Sequence, residues 1–168
     1  MTVDVFSKSS VREAIRRLNA FKRKFNKRLD KFIERCEEEG LRAVRANVDG
    51  ISPTYKGDDI TVSSHKIENG FSVEIAGSQV AFIEFGSGIT FNAPVGGSKH
   101  PKGQELGLTI GSYNPSSPNA SSPTGWWFKN RFGMSEHTYG TPTFAPLYNG
   151  EMEIISRVQE IAKEVFCD

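Results

Sequence analysis

The chain has 168 residues, which suits one domain of ordinary size or one domain carrying an arm, and can bury roughly 70% of its unfolded surface without a metal or disulfide staple. Its 21 Lys and Arg against 20 Asp and Glu give a net charge of +1, which leaves no global charge argument for a nucleic-acid partner. Cys36 and Cys167 lie far apart outside any CxxC pair, apolar runs are only a few residues long, and Met1 to Ser10 lacks a basic start; these features predict reduced thiols, no zinc site, no secretion and no membrane span.

Local charge is uneven. From Arg12 to Lys31 nine basic residues face two acidic ones, an excess of seven in twenty residues, and the acidic run Glu37, Glu38, Glu39 follows. No Pro or Gly interrupts Ser9 to Glu39. The apolar set Val11, Ile15, Leu18, Phe25, Leu29, Phe32, Cys36 recurs at spacings of three, four or seven, one stripe on one helix. Ser9 or Ser10 is a suitable N-cap, with Glu13 in capping-box register to Ser10, and Gly40 is a plausible bend before Leu41, Val44 and Val48 continue the pattern. Residues 9–48 are thus expected as a helical arm, its first thirty-one residues roughly 45 Å long and longer than a domain of this size is wide. Part of it should project and find a partner. The basic stretch reads as a solvated face, a subunit contact or an approach to phosphates.

Residues 58–91 predict an antiparallel hairpin, Ile60–Ile67 and Phe71–Ile75, turning at Glu68, Asn69 and Gly70, then an apolar segment from Val80 to Phe85 too short to assign. Gly86-Ser87-Gly88 reads as a turn. Twenty of the thirty-four residues from Asn92 to Gly125 are Gly, Pro, Ser or Asn, so 92–125 is expected as a long loop, with an edge strand at Leu106 to Ile110 as one option. Asn119-Ala120-Ser121 fits a glycosylation acceptor by pattern alone. In 126–147, Trp126, Trp127 and Phe128 form either a lid on the core or an interface anchor, and Pro142 and Pro146 enforce an extended approach to the next element. In 148–166, Ile154, Ile155, Val158, Ile161, Ala162 and Val165 share a helical face. The whole predicts an α+β single domain: a long N-terminal helix, a small antiparallel sheet, a long Pro/Gly/Ser-rich loop, and a C-terminal amphipathic helix packed on the sheet.

Chemistry-bearing patterns are sparse. His65, His100 and His137 stand apart from metal-ligand spacings, Gly86-Ser87-Gly88 lacks the outer spacing of a nucleophile elbow, and Gly96-Gly97-Ser98-Lys99 lacks the Walker spacing. Asp58-Asp59 reads as a solvated turn ahead of a cation site. No cofactor, metal or catalytic constellation is expected. Glu84 is the exception, a carboxylate inside Phe82-Ile83-Glu84-Phe85 that needs a partner if buried. It reads as structural or as a subunit contact; a hydrolase using Glu84 and His100 as acid and base requires the two within hydrogen-bond reach across a loop.

The order of these pieces resembles the small tail-component, or tail-completion, proteins of the head–tail joint of long-tailed double-stranded DNA phages. The resemblance rests on the charged N-terminal helix, the hairpin, Ala81-Phe82-Ile83-Glu84-Phe85-Gly86-Ser87-Gly88, His100-Pro101 in the loop, and Pro142-Thr143-Phe144-Ala145-Pro146 before the last helix. Ser87 stands where Thr is more usual. Pro53-Thr54-Tyr55-Lys56-Gly57 only faintly echoes the family's Pro-x-x-Thr-Gly. The resemblance implies a non-enzymatic virion part of the neck, made in the host cytoplasm, forming a ring of itself with six copies expected. That ring surrounds the DNA channel beside adjacent neck and tail-tube proteins, with no membrane partner. Candidate residues facing a subunit or DNA are Arg16, Arg17, Lys24, Lys27, Arg28, Glu37, Glu38, Glu39, Glu84, Phe85, Trp126, Trp127 and Phe144. The competing reading is a nucleic-acid-binding protein that uses the basic helix.

Overall fold

The stripe of apolar residues in the first third forms one unbroken helix, α1 (Lys8–Asp49), 42 residues and about 60 Å long. The structure is a computed structural model that describes residues 7–88, 91, 99–103, 105–107, 122–130 and 132–167. Ser7, not Ser9 or Ser10, is the N-cap: its backbone is extended and its side chain accepts from the Ser10 N–H at 3.4 Å. Glu13 therefore falls outside the capping box and pairs with Arg16 and Arg17 instead. The helix ends at Gly50, whose N–H bonds Ala46 O, and a short α2 (Pro53–Lys56) follows, with Ser52 as cap. Lys56 Nζ reaches back to Val48 O at 3.1 Å, supplying one of the end carbonyls of α1.

The expected bend at Gly40 does not occur. Gly40 is helical and buried, and a Cβ there would lie 2.6 Å from Ile154 Cδ1 and 3.3 Å from Phe71 Cε2. On the opposing helix Gly150 does the same, since its Cβ would meet Val44 Cγ2 at 2.5 Å and Val44 N at 3.3 Å. Each glycine costs a helix about 1 kcal/mol relative to alanine, which close packing of the two backbones here offsets.

β1 (Thr61–Ile67) and β2 (Gly70–Ala76) pair antiparallel, Val62 opposite Ile75, Ser64 opposite Val73 and Lys66 opposite Phe71. Glu68 and Asn69 make the turn, and Gly70 opens β2. Ser64 Oγ donates to Glu37 Oε1 at 2.9 Å and Arg45 Nη2 to Val62 O at 3.2 Å, so this face of the hairpin turns toward α1. Asp59 ties the hairpin's open end by accepting from Ser78 N–H at 2.8 Å. The unassigned apolar segment is a short helix, α3 (Val80–Phe85), with Ile83 wholly buried. β3 (Trp126–Lys129) and β4 (Ser135–Thr138) form a second two-stranded sheet.

The last helix, α4 (Pro146–Phe166), starts two residues before the expected position. It runs antiparallel to α1: Gly150 faces Val44, Ile154 faces Gly40, and Phe166 lies against Phe25 and Phe32 at ring distances of 5.9 and 6.0 Å. Its apolar face therefore packs first on α1, where the sequence pattern predicted the sheet; β2 is reached at Phe71. The core gathers Cys36, Ala43, Val44, Val48 and Ile51 with Ile83, Ile161 and Val165. Burial raises the Cys36 thiol above its ordinary range.

The fold is α+β as predicted. Most of the 92–125 loop lies outside the described residues, including Gly96 to Ser98 and Asn119 to Ser121. Of the expected edge strand, Leu106 and Gly107 form a turn, and 108–110 are outside. Among the described residues no helix is long and apolar enough to cross a membrane.

Candidate functional site

The N-terminus of α4 lacks a local cap. Ala145, before it, takes the left-handed conformation (φ 50°, ψ 50°) and offers no side-chain oxygen, and Pro146 has no N–H. The next two donors find Glu84, on α3: Leu147 N–H donates to Oε2 at 3.0 Å and Tyr148 N–H to Oε1 at 3.1 Å. Asn149 N–H then makes the first intrahelical bond, to Ala145 O at 2.9 Å. All first-turn donors are thereby placed, and a carboxylate stands at the positive end of the helix dipole.

Glu84 is buried, with 4% of its surface exposed, and it takes a third donor. His100, equally buried, lies with Nε2 2.9 Å from Glu84 Oε1, while its Nδ1 accepts from the Lys102 N–H at 3.0 Å. An Nδ1 that accepts fixes the Nε2–H tautomer, so Nε2–H donates to Glu84. The ring rests between Phe85 and Tyr148, at 4.7 and 5.4 Å. Beside it Lys102 Nζ bonds the Glu151 carboxylate at 3.1 Å, which raises the lysine's pKa.

A second set of bonds locks the strand that leads into α4 onto the segment after α3. Ser87 and Thr141 exchange N–H···O bonds of 2.8 and 3.0 Å, Phe144 and Ala145 N–H both donate to Ile83 O, and Thr143 Oγ1 donates to Phe85 O at 3.0 Å. The two segments cross closely enough that only glycine fits on either side. A Cβ on Gly140 (φ 96°) would sit 2.0 Å from Ser87 O, and one on Gly88 (φ 71°) 2.7 Å from Tyr139 O. Segments 81–88 and 141–148 and His100, separate in sequence, are thus bonded together around α3, with His100, Leu147 and Tyr148 on the buried carboxylate.

The acid–base reading of Glu84 and His100 asked for hydrogen-bond reach and a cleft: the pair is 2.9 Å apart, and both residues line a groove of about 650 Å³. It also requires a lone pair turned toward a substrate. The imidazole Nδ1 is occupied by Lys102 N–H, three donors converge on the carboxylate, and both side chains are buried. Chemically the arrangement fastens: it holds a helix end, a loop and a crossing strand together. Among the described residues no group of three or more His, Cys, Asp or Glu is placed to hold a metal ion.

The arm candidates divide. Arg16 and Arg17 pair with Glu13 within α1, while Lys24 and Lys27 are exposed. Arg28 turns to α4, donating to Phe166 O at 2.9 Å, a cation at a helix C-terminus. Of the acidic run, Glu37 accepts from Ser64, and Glu39 binds Arg42 at 2.9 Å and Arg157 at 2.7 Å, clamping α1 to α4. Glu38 faces outward beside Arg35. Of the acidic flank expected to meet a neighbour, all three members thus hold contacts within the chain, Glu38 only with Arg35 on its own helix.

Trp126 packs beside Gly88, but Trp127 is 68% exposed and Phe128 is exposed too, so these two point away from the core. Phe144 packs on Tyr55 at 5.5 Å. Sequence reasoning did not single out Gly140, Gly150, Tyr148 or Arg157. A missing cap residue ahead of Pro146 was the available signal for the Glu84 contact; the glycines carry none without the crossing geometry. No family model, no curated protein and no solved structure matches this chain.

Proposed function

We propose that the protein is a structural virion component of the phage head–tail joint, assembling as a ring, with six copies expected, around the DNA channel between portal and tail tube. The observation that carries this reading is the joining around α3 of three of the segments on which the resemblance rests: His100 bonds Glu84, while Thr143 bonds Phe85 O and both Phe144 and Ala145 bond Ile83 O. Three of the five pieces that carry the resemblance thus make one bonded unit, and Glu84 within it also caps α4 through Leu147 and Tyr148. The projecting amphipathic arm suits a molecule whose surface is largely contact with neighbours. Two measurements test it: the mass of the native particle formed by the pure protein, and detection of the chain in purified virions. A ring found in virions is expected; absence from particles overturns the reading.

One observation favours a second reading, duplex DNA binding. Lys22, Arg23, Lys24 and Lys27 are exposed and form no ion pair among the described residues. Affinity should then fall steeply with salt, by roughly one power per phosphate neutralised. Charge reversal at Arg16, Arg17 and Lys24 separates the readings. Weakened ring formation points to a subunit contact, whereas intact rings with altered DNA retention point to the channel.

A further inference from the structure

The first half of α1 is a helix without a second helix. Every residue from Ile15 to Lys27 is exposed, because α4 ends against α1 at Phe25 and Arg28. The seam that α4 covers farther along continues out onto the arm as Ile15, Leu18 (66% exposed) and Phe21 (67% exposed), with Phe21 stacked on Phe25 at 6.3 Å. An exposed apolar stripe of this kind marks a contact surface.

Beside the Glu84 site on the same chain is an open, largely apolar groove of about 650 Å³ between β2, α3 and α4, lined by Phe71, Val80, Leu106 and Ile155, with Glu84, His100 and the Lys102–Glu151 pair also on its wall. It takes several large side chains rather than a whole helix, which suits a stripe laid across it. Charge selects the pairing. The arm segment carries an excess of seven positive charges while the whole chain carries +1, so the remaining residues carry six net negative charges. Two arms side by side repel; an arm on the body of another copy is attracted. Reach agrees, because the arm N-terminal to Phe25 extends about 25 Å.

We propose that the arm of one copy seats Leu18 and Phe21 in the groove of a second copy, a head-to-tail contact that closes into a ring or grows as a filament. The proposal rests on the reading of the chain as a self-assembling virion part, and it names that assembly's contact surfaces.

The test uses two full-length variants altered at exposed positions. One is Leu18→Glu with Phe21→Glu, and the other is Ile155→Lys with Leu106→Lys; both are checked against the wild type by thermal unfolding. Each alone should lose every species above the single chain in sedimentation. Mixed, they should form two-chain particles and nothing larger, because the intact arm of one meets the intact groove of the other. A mixture that stays monomeric, an arm variant that assembles like wild type, or a wild type that is monomeric up to its solubility limit overturns the proposal. Arm-to-arm pairing, or a groove filled by the chain itself, would leave the groove variant assembling normally and overturns it too. Detection in virions is scored separately, so arm-dependent assembly of a chain absent from particles would sink the virion reading and keep the contact.

Discussion

Glu84 accepts from two backbone N–H groups and an imidazole while only 4% exposed, so removing it strands three donors at once. Glu84→Ala should destabilise the fold by about 3–5 kcal/mol, because three buried donors lose their acceptor at about 1–3 kcal/mol each. Glu84→Gln should cost about 2 kcal/mol, because its amide nitrogen faces a donor instead of accepting from it. Urea unfolding midpoints decide both; a shift too small to resolve for the alanine variant would contradict the role given to this carboxylate. Glu39 yields a pH prediction. Its carboxyl is held below the ordinary glutamate range, first by the Arg42 hydrogen bond and further by the charges of Arg157 and Arg42. A carboxyl lowered on folding stabilises the protein above its unfolded pKa and loses that contribution as pH falls through the folded one. Acid unfolding should therefore begin just below the ordinary glutamate range, and Glu39→Gln should flatten that limb of the stability–pH curve. The sequence singled out Glu84, since a carboxylate in an apolar run needs a partner. It could not say which partner, because every one of them is distant along the chain.

The elements were legible from periodicity, and their contacts were not. The 3.6-residue repeat located α1 and α4 and alternation located the first hairpin, because both report a buried face. Neither reports what covers that face, so α4 was assigned to the sheet when α1 holds most of it. Gly40 looked like a bend because glycine weakens helices. Only the crossing of two backbones explains it, and that information lies in Val44, Gly150 and Ile154 together. Alanine at the two positions should act differently. At Gly40 the nearest obstacle is the end of the Ile154 side chain, which can rotate away, so Gly40→Ala should lie near neutral. At Gly150 the Val44 backbone also stands in the way, and Gly150→Ala should cost about 2 kcal/mol. Gly140→Ala should be worse than either, with its Cβ driven into Ser87 O at a φ that alanine rarely adopts. Thermal unfolding of the three variants orders them.

At the scale of the molecule, a long helix is anchored along one half and bare along the other. Stability and association should therefore separate. Substituting Leu18 and Phe21, which bury little in the single chain, should leave thermal unfolding within about 0.5 kcal/mol of wild type. Raising salt to about 0.5 M should weaken any assembly made through the cationic arm, since the Debye length shrinks to a few ångströms. The overlength of the arm was visible in the residue count of the uninterrupted stripe, whereas the groove emerges only from the packing of three elements distant in sequence. The closure of the body by its last helix has a consequence for synthesis. Arg157 and Glu39 bond across 118 positions, so a nascent chain carries the inner face of α1 uncovered until α4 has been made. The core cannot close until translation has passed Val165, which makes this a chain whose early product needs shelter from its neighbours in the polysome.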